Sequence, residues 1–399
     1  MTTNFQEDFI MNVLFIDWAC FGKVDAIFTL EQMGYKLTMF SHKDYQERLS
    51  ADFDKSFDDT VRDKNFKFCF SFNFYPLVAE GCKRHDIPYL SLVYDSPYVP
   101  LYSYTIIYPT NYVFLFDKQE YMKLQNMGIR TVYYTPLPVN ATIIDFLAKK
   151  EFDRSKCTCD VSFVGALYNE AHNFYERLAN VNDYTRGYLD AIMEAQLKIY
   201  GYNFLEEVLN GKVLEEMLRV SPYANDKYGV ETPQYIYANY YLGRKVTSLE
   251  RIRLLTAIGE RFPNKLKLFT LNKETKIPHV RNMGATDYYA EMPYIFANSK
   301  INLNITLKSI QSGIPLRAMD IMGAGGFLLT NFQADFLDYF VLDEDFVYYN
   351  DTEDLLNKIE YYLSHDKERK EIAENGHRKV RENHSFEKCF QEMLRITEL

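Results

Sequence analysis

Repeatedly along this chain a short apolar run is followed by a turn and then by residues spaced for a helix. That order restricts the fold more than any other feature. Residues Asn12–Asp17 (NVLFID) read as a buried strand, closed by Trp18-Ala19-Cys20-Phe21-Gly22. Val24–Met33 then carries apolar residues at helical spacing, Gly34 stops it, and Lys36–Ser41 (KLTMFS) reads as a second strand. Strand, loop, helix, glycine, strand is the opening unit of a parallel α/β sheet. The rhythm continues through strands at Phe66–Phe72, Tyr89–Tyr94 and Tyr112–Phe116, with helices at Pro76–His85 and Lys118–Met127. After Thr131–Tyr134, the segment Thr135-Pro136-Leu137-Pro138 suits neither a helix interior nor a central strand.

A second start follows at Val161–Gly165 (VSFVG), after a polar stretch, Lys149–Asp160, expected to act as a linker. From about Glu170 to Arg253 the chain is Tyr-rich and mostly helical in pattern, longer than one crossover needs. Strand signals return at Lys265–Thr270, Ile301–Ile305 and Gly326–Thr330, with a helix opening at Pro315. Two α/β halves in sequence also fit the length of 399 residues, which is too long for one ordinary core.

Composition narrows the function. The formal net charge of −10 lacks the basic footprint of a nucleic-acid binder, so no nucleic-acid partner is expected. The six cysteines form no metal or disulfide spacing, Cys157 and Cys159 being the one close pair, and all six read as reduced thiols. The start MTTNFQEDFI has no basic n-region, and no apolar run approaches the ~20 residues of a spanning helix. The expectation is a cytoplasmic protein without a transmembrane segment, peripheral membrane contact staying open. The 33 Tyr and 30 Phe decide nothing by themselves.

Residues Ser312–Gly326 (SGIPLRAMDIMGAGG) carry the strongest chemical signal. Pro315 suits a first helical position, and Ser312 and Gly313 before it would offer backbone donors to a phosphate. Arg317 and Asp320 are three apart and share a face, matching a diphosphate and ribose hydroxyls. The same pattern also describes a capped helix with a surface ion pair. Gly165, just past a strand, permits close approach of phosphates or simply makes a tight turn. Asp95, in Tyr94-Asp95-Ser96-Pro97 at a strand's carboxyl end, suits a general base or a turn cap. Asp17 and His42 are weaker candidates. His172, His279, His365, His377 and His384 are scattered without metal-ligand spacing, and Asp343-Glu344-Asp345 reads as a solvated loop. No G-x-x-x-x-G-K-[ST], H-E-x-x-H or G-x-S-x-G occurs, which excludes common ATPases, zincins and serine hydrolases.

Several of these stretches in order resemble one family. SGIPLRAMDIMGAGGFLLT is similar to the donor-site segment of GT-B glycosyltransferases, most of all the branch of the spore-maturation protein CgeB. YYAEMPYIFANSKINLNIT resembles that branch's lead-in, GHRKVRENHSFEKCFQEML its closing helices, YLSLVYDSP its first-domain strand end, and FVGALY its entry into the second domain. The resemblance implies an α/β GT-B fold, two Rossmann-like domains facing across a cleft. The first, 1–148, would take the acceptor. The second, 149–375, would take the nucleotide sugar and carry a helical insert at about 170–253; 376–399 would be a closing helix packing back on the first domain. It implies a hexosyltransferase needing no metal and no cofactor beyond its nucleotide-sugar co-substrate, UDP being the default. The acceptor is a glycan, a protein or a lipid-linked glycan.

The donor-binding candidates are Gly165, Tyr288, Lys308, Ser312, Gly313, Ile314, Arg317 and Asp320, with Asp95 as the catalytic candidate. Two departures stand out. Ser312 occupies the place of the first Glu in the paired-glutamate motif of the wider retaining group. Ala166 follows Gly165 where an Arg is common, so Arg317, Lys308 or Arg177 must neutralise the diphosphate. Asp95 takes the acceptor's proton if the reaction inverts, and holds the acceptor if it retains. A GT-B nucleotide-sugar epimerase, and a non-catalytic sensor or scaffold, are the competing readings.

Overall fold

The computed structural model describes residues 11–143, 157–170, 173–226 and 228–399. The N-terminal decapeptide, His172 and the expected linker up to residue 156 lie outside the described residues. The chain divides into two compact units. The first comprises the described residues up to Leu115 with Tyr121–Thr135 and Phe386–Leu399; the second comprises Phe116–Glu120 and Pro136–Ser385.

The first unit is a six-stranded parallel sheet: β1 (Asn12–Ile16), β2 (Lys36–Phe40), β3 (Phe68–Phe72), β4 (Tyr89–Val93), β5 (Asn111–Leu115) and β6 (Val132–Tyr134), in the order β2-β1-β3-β4-β5-β6. All five pairings are parallel. β3 and β4 are buried at every residue, which is why they read as unbroken apolar runs: a parallel strand is covered on both faces. Local signals set the helices. Ser50 Oγ accepts from Phe53 N at 3.1 Å to cap Ala51–Val61, and Pro76 opens Pro76–Arg84. The last helix, Phe386–Thr397, packs on Lys23–Gln32 of this unit, with the Phe390 ring 5.1 Å from Phe70. Gly22 has φ +76°, and a Cβ there would sit 2.9 Å from the Phe386 ring, so the turn closing β1 needs glycine.

The second unit has its own parallel sheet: β7 (Cys159–Val164), β8 (Leu266–Phe269), β9 (Arg281–Asn282), β10 (Ser299–Asn304), β11 (Leu328–Asn331) and β12 (Val347–Tyr349), in the order β12-β11-β10-β7-β8-β9. The first strand of the unit, β7, thus lies beside the fourth, β10, and the order reverses there, as in a Rossmann sheet. One apolar layer contains Val161, Phe163, Leu254, Ile258 and Ile301; another contains Val164, Phe296, Ile314, Met319 and Met322. Asn302, fully buried in β10, is satisfied: Ser162 Oγ donates to its Oδ1 at 2.8 Å, and its Nδ2 donates to Phe296 O at 3.0 Å.

Between the turn after β7 and β8 the chain is largely helical, with Asp183–Leu197, Gly211–Val220 and Arg244–Arg261. The last is preceded by a π-helix, Tyr237–Gly243. The helix near Pro315 runs Leu316–Gly323, with Pro315 itself as its N-cap residue, one position earlier than the first helical place expected. Asp345 departs further from expectation. It is buried, accepts Val341 N at 2.7 Å and pairs with Lys379, so it is a structural anchor and not a solvated loop acid. All six cysteines are free thiols.

Candidate functional site

In an open α/β sheet, ligands bind outside the carboxyl ends of the strands where the strand order reverses. In the second unit that place is the adjoining ends of β7 and β10. The turn after β7 begins at Gly165, whose amide donates to Phe269 O at 3.0 Å and so completes the sheet. A Cβ at Gly165 would meet the Phe163 ring at 3.4 Å, an ordinary contact, so this glycine is not sterically obligatory.

The positive charge at this reversal comes from a residue the sequence did not single out. Arg251, on the Arg244–Arg261 helix, donates from Nε to Ile305 O at 3.1 Å and from Nη1 to Ala166 O at 2.5 Å. It bridges the ends of the two central strands. Its guanidinium lies 5.1 Å from the centre of the Tyr168 ring. Burial lowers its proton affinity from the usual arginine range, opposed by the neighbouring Tyr168 and Glu250. An arginine within a helical pattern reads as a surface residue, so spacing alone could not find it.

Lys308, in the loop after β10, is buried and paired with Glu250, Nζ to Oε1 at 3.1 Å, and stands 4.0 Å from the centre of the Tyr200 ring. Burial lowers its proton affinity, and Glu250 offsets part of that. Its ammonium is therefore engaged within the protein. Arg177, the other alternative, lies on the short 3-10 helix Phe174–Leu178, its guanidinium 4.5 Å from the centre of the Phe174 ring.

Ser312 and Gly313 are arranged around Asp117. The Asp117 carboxylate accepts from Gln311 N at 2.6 Å, Ser312 N at 3.1 Å and Ser312 Oγ at 3.0 Å. Burial raises its pKa, and these donors pull it back down. The Ser312 amide, expected as a backbone donor to a ligand, and the Ser312 hydroxyl thus both serve Asp117. Gly313 has no room for a side chain: a Cβ would lie 2.8 Å from Asp117 Cα and 2.9 Å from Phe116 O. Ile314 is buried in the core and anchors the loop through packing.

One turn further on, Tyr288, Arg317 and Asp320 come together. Tyr288 Oη donates to Asp320 Oδ1 at 2.9 Å, and Arg317 Nη1 lies 3.1 Å from Asp320 Oδ2. Arg317 also contacts the Met292 sulfur, and its guanidinium lies 5.6 Å from the centre of the Phe296 ring. Its side chain remains 25% exposed, which leaves an edge open to a ligand. Burial, followed by the Asp320 carboxylate, pushes the Tyr288 hydroxyl well above its ordinary pKa, so it stays a donor. The first-turn amides of Leu316 and Arg317 have no intrahelical acceptor, as at any helix N-terminus.

Asp95 belongs to the first unit, whose own reversal lies between β1 and β3. It follows β4 and is exposed. Asn73, just past β3 with φ +59°, orients it. Asn73 Nδ2 donates to Asp95 Oδ2 at 2.7 Å, while Asn73 Oδ1 accepts Tyr94 N at 3.1 Å and Asp95 N at 3.3 Å. Nearby, Asp17 pairs with Lys23 at 2.7 Å, and Trp18 stacks on Tyr94 at 16°. His42 Nδ1 accepts from Asp44 N and serves its own loop. Among the described residues no group of three or more His, Cys, Asp or Glu side chains is gathered to hold a metal ion. No helix among them is long and apolar enough to cross a membrane.

Among curated proteins none matches the sequence. The chain is similar in structure to a glycosyltransferase from Rickettsia africae ESF-5, at 12% identity, TM-score 0.51 and 97% coverage of each chain. It is similar to a sucrose-phosphate synthase from Thermosynechococcus elongatus, at 11% identity and TM-score 0.53, covering 97% of this chain and 98% of that one. Anabaena HepE, in a complex with UDP-glucose, is similar at 10% identity and TM-score 0.50, over 98% of this chain and 100% of that one. With two parallel six-stranded sheets, the fold is that of GT-B glycosyltransferases. Residues 244–395, which include Arg251, Tyr288, Lys308 and the whole Ser312–Asp320 segment, match the family model described as glycosyl transferase-like.

Proposed function

We propose that this chain is a metal-independent glycosyltransferase of the CgeB-like branch, moving a sugar from a nucleotide sugar to a glycan, protein or lipid-linked acceptor. The observation that carries the reading is the Asp320 carboxylate, held by Tyr288 and Arg317 on the helix that follows β10. In this reading Asp320 accepts the ribose hydroxyls. The open edge of Arg317 and the first-turn amides of Leu316–Gly323 take the diphosphate. UDP is the nucleotide to test first, since HepE, which shares the fold, binds UDP-glucose.

In the reaction the bond from the sugar's anomeric carbon to the diphosphate oxygen breaks, and the diphosphate leaves with the electron pair. A new bond forms from the acceptor oxygen to the same carbon. Preorganised donors stabilise the leaving charge better than water does, because they need no reorganisation. If the stereochemistry inverts, Asp95 takes the acceptor's proton, its carboxylate oriented by Asn73. If it is retained, Asp95 holds the acceptor hydroxyl and the acceptor's proton passes to the departing diphosphate oxygen.

One observation favours a second reading, a non-catalytic nucleotide-sugar sensor: the Ser312 hydroxyl is committed to Asp117. Incubation with each common sugar nucleotide without acceptor separates the two. Slow release of free sugar and nucleoside diphosphate, lost in Asp320→Ala, supports the transferase. Binding without any turnover supports the sensor.

A further inference from the structure

A cavity lies in the second unit, lined by residues other than those assigned above to the donor. It encloses about 200 Å³ and is lined by Tyr168, Phe174, Tyr175, Tyr240, Arg244 and Lys245, among others. Pockets that take drug-sized ligands span roughly 300–1,000 Å³, so this volume suits one ring-sized group and not an entire sugar nucleotide.

Its walls come from three irregular pieces of chain. Tyr168 has φ +52°, a left-handed conformation costly for a bulky residue. Phe174 and Tyr175 sit on a short 3-10 helix, and Tyr240 on the π-helix that runs directly into Arg244. π-Helical turns are rare and recur at functional sites.

The charge is one-sided. The Arg244 guanidinium lies 5.1 Å from the centre of the Tyr240 ring and 5.5 Å from that of Phe174. Lys245 Nζ stands 5.3 Å from the centre of the Tyr175 ring. Arg244 Nε is buried and has no hydrogen-bond partner among the described residues. Among the described lining residues Glu170 is the one carboxylate, against two cations. A guanidinium can rest its face on rings while its N–H edge forks an oxyanion. The rings supply flat apolar faces suited to the C–H face of a sugar ring.

We propose that this cavity is a subsite for one acidic sugar unit, a pyranose carrying a carboxylate or a phosphate. Arg244 and Lys245 hold the anion, and the Tyr and Phe faces hold the ring. The proposal deepens the transferase reading, from which it takes the saccharide nature of the ligand; the anionic class comes from the cavity itself.

The test is a titration of the full chain with glucuronate, glucose 6-phosphate, glucose and uridine, followed by thermal shift and calorimetry. Glucuronate, glucose 6-phosphate or both raise the melting temperature, the stronger one naming the anion, while glucose and uridine do not. Arg244→Gln and Lys245→Gln, each melting near the parent temperature without ligand, weaken that binding about tenfold or more. No shift with either acid, equal shifts with glucose or uridine, or a shift that both variants leave intact overturns the proposal. The UDP response that depends on Asp320 is read in parallel. If it persists while the acidic sugars fail, the subsite is wrong and the donor site stands.

Discussion

Tyr288 and Asp320, 32 residues apart, share a hydrogen bond of 2.9 Å that aims one carboxylate oxygen, while Arg317 engages the other at 3.1 Å. The pair turns a helix acid into an oriented acceptor. Tyr288→Phe removes one hydrogen bond, worth about 0.5–1.5 kcal/mol, and weakens nucleotide binding roughly two- to tenfold. Isothermal titration with UDP checks this. Unchanged affinity would remove Tyr288 from the account.

Arg251 ties Ala166 O to Ile305 O across the central strand ends. Arg251→Met leaves those carbonyls without their donors, at a cost of about 1–3 kcal/mol for a buried unsatisfied group. Urea unfolding shows a lower midpoint with an unchanged slope. Arg251→Lys recovers little of the loss, since an ammonium cannot span both carbonyls as the planar fork does.

Gly313→Ala places a methyl group within 3 Å of the Asp117 and Phe116 backbone, which cannot swing aside as a flexible side chain would. The loop before Leu316 must shift. Loss of nucleotide binding exceeds the loss of stability, measured as UDP affinity against melting temperature on the same sample.

His384 is buried against Phe340, their rings 5.3 Å apart, and burial lowers its pKa to about 4. In the unfolded chain it titrates near 6.5. Between those values the unfolded state binds more protons, so stability rises with pH. The contribution is fully present above about 6.5 and is lost as pH falls toward 4, amounting to roughly 3 kcal/mol. His384→Phe keeps a ring and flattens the dependence of the urea midpoint on pH across that window. An unchanged slope assigns the effect to other groups.

Much of the architecture was readable from periodicity. Val161–Gly165 and Tyr89–Tyr94 are apolar runs bounded by turn residues, and both are buried parallel strands. The two-residue β9 and the three-residue β12 are too short to leave a pattern. The segment of the candidate site also declared itself, through Pro315, Arg317 and Asp320. Its supports did not. Asp117 meets Ser312 from 195 positions away, and Arg251 reaches Ala166 across 85. Such pairings join segments far apart in the chain, which no local spacing encodes. The π-helix, within which the Tyr237 and Tyr241 rings meet edge to face at 5.0 Å, was equally hidden, since no sequence signal marks its register.

In the proposed function Asp320 and the helix that carries it hold a nucleotide sugar. A thermal-shift panel of UDP, GDP, dTDP, CMP and their common sugars, with and without EDTA, tests it most directly. A ligand at a hundred times its dissociation constant stabilises the native state by about 2.7 kcal/mol, enough to move a melting curve visibly. A clear shift is expected with one nucleotide, UDP first, unaffected by EDTA and absent in Asp320→Ala. No shift with any nucleotide, or one that Asp320→Ala leaves intact, contradicts it.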